Sequence, residues 1–339
     1  MICLQLKFSA GRYHATPWGR HVNEGDVAWP PEPYRILRAL IATWHRKADK
    51  AAHSYERLGA LIDALSEADP VFRLPHSVHA HTRHYMPQAK AGDTKLVIDA
   101  FLRIEPEDPL IAGWDVRLAS SEFELLEHLA ANLGYFGRAE SLVSAAALPE
   151  WPSAPELYPN VLRLEIGENG VIRDAPPGYE AVDVLAPVQA SHWPQHREKL
   201  LSLNGDKPKS KTRRAFEATI PERLIDALSV ETGDIQAAKW SAAPAGRYVL
   251  YARAPLSPTP QQSKRKHAVH EKHPPTVARF VLAGKPRPSV FDTVKIAETM
   301  RLAAMSLWGW EKRPDGRKLP KAPKKQNKQN SENNPLPDP

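Results

Sequence analysis

Arg12, Tyr13, His14, Trp18, Arg20 and His21 fall within ten residues, directly after the alternating segment Ile2–Phe8. Cations hold phosphates and aromatic rings stack bases, and neither contact demands a fixed base, so the mixture suits a single-stranded nucleic acid. The plainer alternative is a Trp and a Tyr buried in a loop whose charges face water. Arg35, Arg38 and Arg46 lie off the apolar stripe of the run PYRILRALIATWH, and some of them are available for phosphate contacts. A second basic run, KPKSKTRR at 207–214, holds five cations and no acid. Its Lys209, Lys211, Arg213 and Arg214 suit the tracking of a phosphate backbone, or form an ordinary solvated loop.

Histidines supply the other candidate chemistry. His76, His79, His81 and His84 crowd into nine residues. On a strand, His79 and His81 share one face and His84 takes the other, with no nearby carboxylate to complete a site, so no metal is expected. His267 and His270 sit in KRKHAVHEKHPP, preceded by Lys264, Arg265 and Lys266. A metal-independent ribonuclease needs a base near neutral pKa for a ribose hydroxyl and a cation for the developing charge, which such a segment can supply. A solvated basic loop is the competing reading. Arg138, Glu140 and Ser141 form a further polar cluster after Gly137. A short helix starting there would turn free amides toward an anion, or a local ion pair would simply fix the turn. The one cysteine, Cys3, excludes an internal disulfide and a cysteine zinc site. Neither a P-loop nor a nucleophile elbow is present, and no cofactor is expected.

These groups need a scaffold. Ile2–Phe8 alternates as a strand with Ile2, Leu4, Leu6 and Phe8 on one face. A helix starting at 32–34 behind Trp29-Pro30-Pro31 turns Leu37, Leu40, Ile41 and Trp44 inward. A second helix is expected over 54–68, then strands over 76–86 and 94–104 around a turn at 88–93. Ser121 with Glu124 reads as a capping box for a helix over 121–132. Asn169-Gly170 suggests a hairpin between 161–166 and 170–173. A new unit is expected from about Gly246, built of strands RYVLYAR and TVARFVLAG and a helix over 289–308.

The composition of the 339 residues is that of a globular protein, 42% hydrophobic and 25% charged, but 33 prolines predict short elements joined by defined loops. The net charge is +7, and residues 311–339 hold eight Lys/Arg against four Asp/Glu, so more than half of it sits in this segment. Basic groups in the remainder must therefore act as patches. The segment, rich in Lys, Asn, Gln and Pro, lacks the apolar area to fold alone. No apolar run reaches membrane-spanning length, which makes a cytoplasmic location the expectation.

Four stretches resemble one family in the expected order: GRYHATPWGRHVNEGDVAWPP at 11–31, HTRHYMPQAKAGDTKLVIDAF at 81–101, LGYFGRAESLV at 133–143 and ARFVLAGKPRPSVFDTVKIAETM at 278–300. They are similar to the type I-G (formerly I-U) CRISPR effector subunit, a natural fusion of the Cas-five and Cas-six families. The resemblance implies an α+β fold: a ferredoxin-like (RRM-like) Cas-five domain with a β-hairpin thumb over 1–235. A partial Cas-six-like ferredoxin-like unit over 246–310 and a disordered basic tail over 311–339 complete the expected layout. Fused members continue well beyond this point, so the Cas-six-like half is expected to be shortened. The implied function is to bind the 5′ handle of the CRISPR RNA and cap the backbone filament of a Cascade complex. The implied partners are CRISPR RNA, Cas-seven-type backbone subunits, a large Cas-eight-type subunit and target DNA, with no membrane. Arg12, Tyr13, His14, Trp18, Arg20 and His21 would hold RNA, with Arg83, His84 and Tyr85 on the thumb. Arg35, Arg138, Ser141 and the basic run would add contacts. Two alternatives stand beside this: a metal-independent endoribonuclease acting within precursor repeats through His267 or His270, and a protein-interaction scaffold.

Overall fold

The computed structural model of the chain describes residues 1–87, 94–164, 175–202, 211–256, 289 and 292–308. Contacts divide the chain into two units, Met1–Lys266 and His267–Pro339. The architecture is mixed α+β with antiparallel sheets.

The first strand organises the first unit. β1 (Ile2–Phe8) buries Leu4, Leu6 and Phe8 as its alternation requires, and Cys3 on the opposite face is buried as well. Both faces are covered because the strand is central. It pairs with Leu110–Trp114 (β6) on one side and Val143–Leu148 (β7) on the other, and Val71–Arg73 (β3) pairs outside β6. A Cβ on Gly113 of β6 would stand 2.6 Å from the Trp151 ring, so only glycine lets that indole cover the sheet.

Two helices join β1 to β3. α1 (Pro33–Lys47) starts with proline at a position whose amide has no intrahelical partner, and the Glu32 carbonyl accepts from Arg35 and Ile36. Tyr34, Ile36, Leu37, Leu40, Ile41 and Trp44 are buried, each worth roughly 1.5–3 kcal/mol over an exposed position. His45, Arg46 and Lys47 occupy the last turn, where cations favour the negative helix end. α2 (Tyr55–Ser66) is capped by the Ser54 hydroxyl, which accepts from the Arg57 amide. A third helix, α3 (Ser120–Asn132), joins β6 to β7. Its N-cap is Ala119 rather than Ser121: the Glu122 carboxylate accepts from the Ala119 amide at 2.8 Å, two residues ahead of the expected pair.

Between β3 and β6 the chain makes a long excursion. β4 (Ser77–Pro87) and β5 (Thr94–Ile104) pair in register along eleven residues, as the alternation predicted. The two-residue β2 (Arg12–Tyr13) joins the other edge of β5, completing a three-stranded sheet.

The expected boundary near Gly246 does not fall there. β10 (Gly246–Arg253) pairs along its whole length with β9 (Glu180–Pro187), from Gly246 opposite Pro187 to Arg253 opposite Glu180, which makes it part of the first unit. The other edge of β10 takes β8 (Leu162–Arg163), so Leu162 and Arg163 pair with β10. Residues 165–174, the segment TVARFVLAG expected as a strand, and residues 311–339 lie outside the described residues. In the second unit the expected helix is present as Thr293–Trp308. Among the described residues, no helix is long and apolar enough to cross a membrane.

Candidate nucleic-acid interface

The loop after β1 divides its predicted residues between core and surface. Tyr13 is fully buried, its ring stacked on Phe136 (5.8 Å between centroids, 14° between planes) and tilted against Phe8 and Trp29. It therefore offers no face to a base, and burial pushes its hydroxyl pKa up. His14 is buried too. Its amide donates to the Ser141 hydroxyl at 2.8 Å and its Nδ1 lies 2.7 Å from Glu140 Oε1. Burial lowers the His14 pKa, a tendency the Glu140 hydrogen bond opposes without overcoming. Ser141, itself buried, clamps this strand rather than facing a ligand.

The segment around Arg138 is not the expected helix but a tight turn. The Ser141 amide donates to the Arg138 carbonyl and the Arg138 amide to the His14 carbonyl, so neither is free for an anion. Gly137 adopts φ +93°, and a Cβ there would meet the His14 carbonyl at 2.5 Å; glycine is what brings the turn against the β2 end. The turn carries charges that neutralise their neighbours. Arg12 approaches Glu140 at 4.0 Å while its guanidinium lies over Phe101, 3.9 Å from the ring centroid. Arg138 and His84 both reach Asp99, at 3.3 and 3.1 Å. The Glu140 pKa is held low: burial works upward, but a backbone hydrogen bond, His14 and Arg12 outweigh it.

On the hairpin, the register puts His79, His81, Arg83 and Tyr85 on one face and His84 on the other. His79 contacts the Gly25 carbonyl at 2.9 Å. Toward the tip, Tyr85 and Met86 are 65% and 52% exposed, so the hairpin end presents rings and apolar surface to solvent. No group of three or more His, Cys, Asp or Glu suited to a metal occurs among the described residues.

Two clefts flank α1 and share Arg35 and Arg38. The larger, about 570 Å³, is lined by Trp18, Arg20, His21, Tyr34, Trp240 and Gln236 among others. Its edges are built by local pairing. Trp18 meets Tyr34 edge-on at 6.1 Å, and its amide donates to the buried Glu32 carboxylate. Arg35 is committed to that same carboxylate at 2.7 Å and to the Thr16 carbonyl, which corrects the expectation of a free phosphate contact there. Arg20, half exposed, pairs with Glu24 and Asp26, and His21 caps the short turn Val22–Glu24. Arg38 differs: it donates to the Leu228 and Val230 carbonyls at 2.5 and 2.7 Å, which keeps its charge unneutralised. The second cleft, about 380 Å³, runs on to Arg46, Lys47 and Tyr135. Arg46 donates to the Tyr135 hydroxyl and Lys47 to the Asn132 carbonyl, and neither pairs with a carboxylate among the described residues.

Of the basic run, Lys211, Arg213 and Arg214 belong to a helix, Lys211–Ala218, rather than a loop, and Arg213 pairs with Glu217 at 2.7 Å. Lys209, His267 and His270 lie outside the described residues. Sequence reasoning missed Lys47, Tyr135 and Trp240. Lys47 lies two residues beyond PYRILRALIATWH and Tyr135 within LGYFGRAESLV, while Trp240 stands alone in KWSAAPAG and carries no local signal. Compared with known proteins, the chain matches no family model and no curated protein.

Proposed function

We propose that the chain is the RNA-binding subunit of a type I-G CRISPR effector, gripping the 5′ handle of the CRISPR RNA and capping the Cas-seven-type filament beside a Cas-eight-type subunit. The observation that supports this reading best is connectivity. β1, two helices, β3, an inserted hairpin, β6, α3 and β7 form an antiparallel sheet in the order β3-β6-β1-β7. Leaving out the hairpin, this is the βαββαβ order of a ferredoxin-like core. On this reading the hairpin would serve as the thumb, with Arg83, His84 and Tyr85 on β4 as its RNA contacts. Target DNA is met in the assembled complex, where guide pairing reads sequence and this subunit reads handle and backbone shape.

Labelled repeat RNA incubated with the purified chain in EDTA tests the reading, with binding and cleavage scored in the same samples. Handle-dependent retention that weakens in Arg83→Ala/Tyr85→Ala is the expected result. Retention indifferent to the handle removes the proposal. A single metal-independent cut within the repeat moves the endoribonuclease reading ahead of it.

A further inference from the structure

We propose that the two clefts along α1 form one binding track for an unstacked single-stranded segment of RNA, with a base lodged in the larger cleft and phosphates running along the smaller. The proposal rests on the RNA-binding reading and locates a site on the body of the protein, apart from the hairpin.

The linings divide the labour. The larger cleft gathers Trp18, Tyr34 and Trp240, with three arginines against two carboxylates, so it is aromatic and weakly charged. Trp18 and Trp240, both partly exposed, can bind a base through its face, whatever its identity, while the buried Tyr34 backs them. Trp240 is stacked on Phe216 (4.6 Å, 20°) and its indole N–H donates to Thr219, which leaves it rigidly held. Its volume, about 570 Å³, lies in the range of pockets that enclose a small ligand.

The smaller cleft has the opposite character. Arg35, Arg38, Arg46 and Lys47 face a single described carboxylate, Glu231, and Tyr135 is the one aromatic residue. Arg38, Arg46 and Lys47 spend their hydrogen bonds on carbonyls and a phenol, so their charges persist for phosphates. Arg38 to Arg46 spans eight residues of helix, ~12 Å, room for more than one phosphate. Arg35 and Arg38 line both clefts and so connect base and backbone sites.

Repeat RNA carrying 4-thiouridine at successive handle positions, photocrosslinked to the full chain and mapped by mass spectrometry, reads this directly. Crosslinks at Trp18 or Trp240 are expected. Thr232→Trp, which fills the cleft mouth from an exposed position, should weaken RNA binding roughly tenfold by displacing a stacked base. Gln236→Trp repeats that test from a second exposed residue, with the melting temperature as a folding control. Arg46→Ala/Lys47→Ala should lower the slope of log affinity against log salt by about 1.4 for two lost single-strand phosphate contacts. Crosslinks confined to the hairpin, with unchanged affinity in both cleft-filling variants, overturn the track and leave the handle-binding reading standing. Wild-type chain that retains no repeat RNA removes that reading and the track with it.

Discussion

Two arginine-rich regions of this chain look alike in sequence and differ in what the fold does with their charge. Around the end of β2, Arg12, Arg138 and His84 each reach a carboxylate, Glu140 or Asp99. Along α1, the partners of Arg38, Arg46 and Lys47 among the described residues are carbonyls and a tyrosine hydroxyl. A guanidinium paired with a carboxylate contributes to holding a turn, and one bonded to neutral groups keeps a field that attracts anions. The lesson is that cation count does not identify a binding face; the partners of those cations do.

The largest effect that would sharpen this contrast comes from Tyr13, the ring that joins the β2 end to the core. Tyr13→Ala should cost about 3–5 kcal/mol in chemical denaturation, as truncation of a buried aromatic residue does. Tyr13→Phe should leave stability nearly unchanged, since the hydroxyl is buried without a partner. If Tyr13→Ala instead folded normally and lost only RNA affinity, the ring would be a contact and not a core element.

Next in size is a comparison of cations. Arg46→Glu/Lys47→Glu should reduce repeat-RNA affinity at least tenfold in a filter-binding titration at low salt. Arg138→Ala should change it by less than threefold, because Asp99 already offsets that charge. Equal losses from the two variants would erase the distinction between the regions.

Smaller still is the effect of the partner carboxylate. Glu140→Gln should lower stability by about 1 kcal/mol, since the glutamine oxygen still faces the buried His14 Nδ1 and only a partly exposed charge is lost, and leave RNA affinity unchanged. A rise in affinity on this substitution would mean that Arg12 is a contact held in reserve by Glu140.

The subtlest test uses pH. Burial lowers the His14 pKa below its ordinary 6.5, so between the two values the unfolded chain binds more protons than the folded one. Stability from this group is therefore present above about pH 6.5 and declines as pH falls through the window below it. His14→Gln should flatten the melting-temperature profile below pH 6.5, whereas an unaltered slope would assign it to other groups.

Much of the scaffold was legible because local pattern and tertiary burial agree. The stripe Leu37, Leu40, Ile41 and Trp44 predicts α1, and the alternation over 76–104 predicts the hairpin strands that pair in register. The clamp at the β2 end was not legible. His14 and Glu140 are 126 positions apart, and the turn that joins them depends on Gly137 packing on the His14 carbonyl. The capping of α3 was misplaced by two residues because Ser121 is a good cap in isolation, while Glu122 reaches the Ala119 amide without help from a hydroxyl. The domain boundary near Gly246 was misplaced because a strand pattern reports that a segment pairs and not with which partner; β9, some sixty residues earlier, is that partner.

By itself, then, the sequence determined β1, α1, α2 and the two hairpin strands, and that aromatic residues and arginines concentrate near the N-terminal end. Periodicity and capping are short-range properties, decided by backbone geometry and by which face can leave water. Only the tertiary structure decided which of those aromatic residues is core, as Tyr13 is, and which lines a cleft, as Trp18 and Trp240 do. It also decided which arginines keep their charge, because neutralisation depends on carboxylates and carbonyls that distant parts of the chain bring within about 3–4 Å.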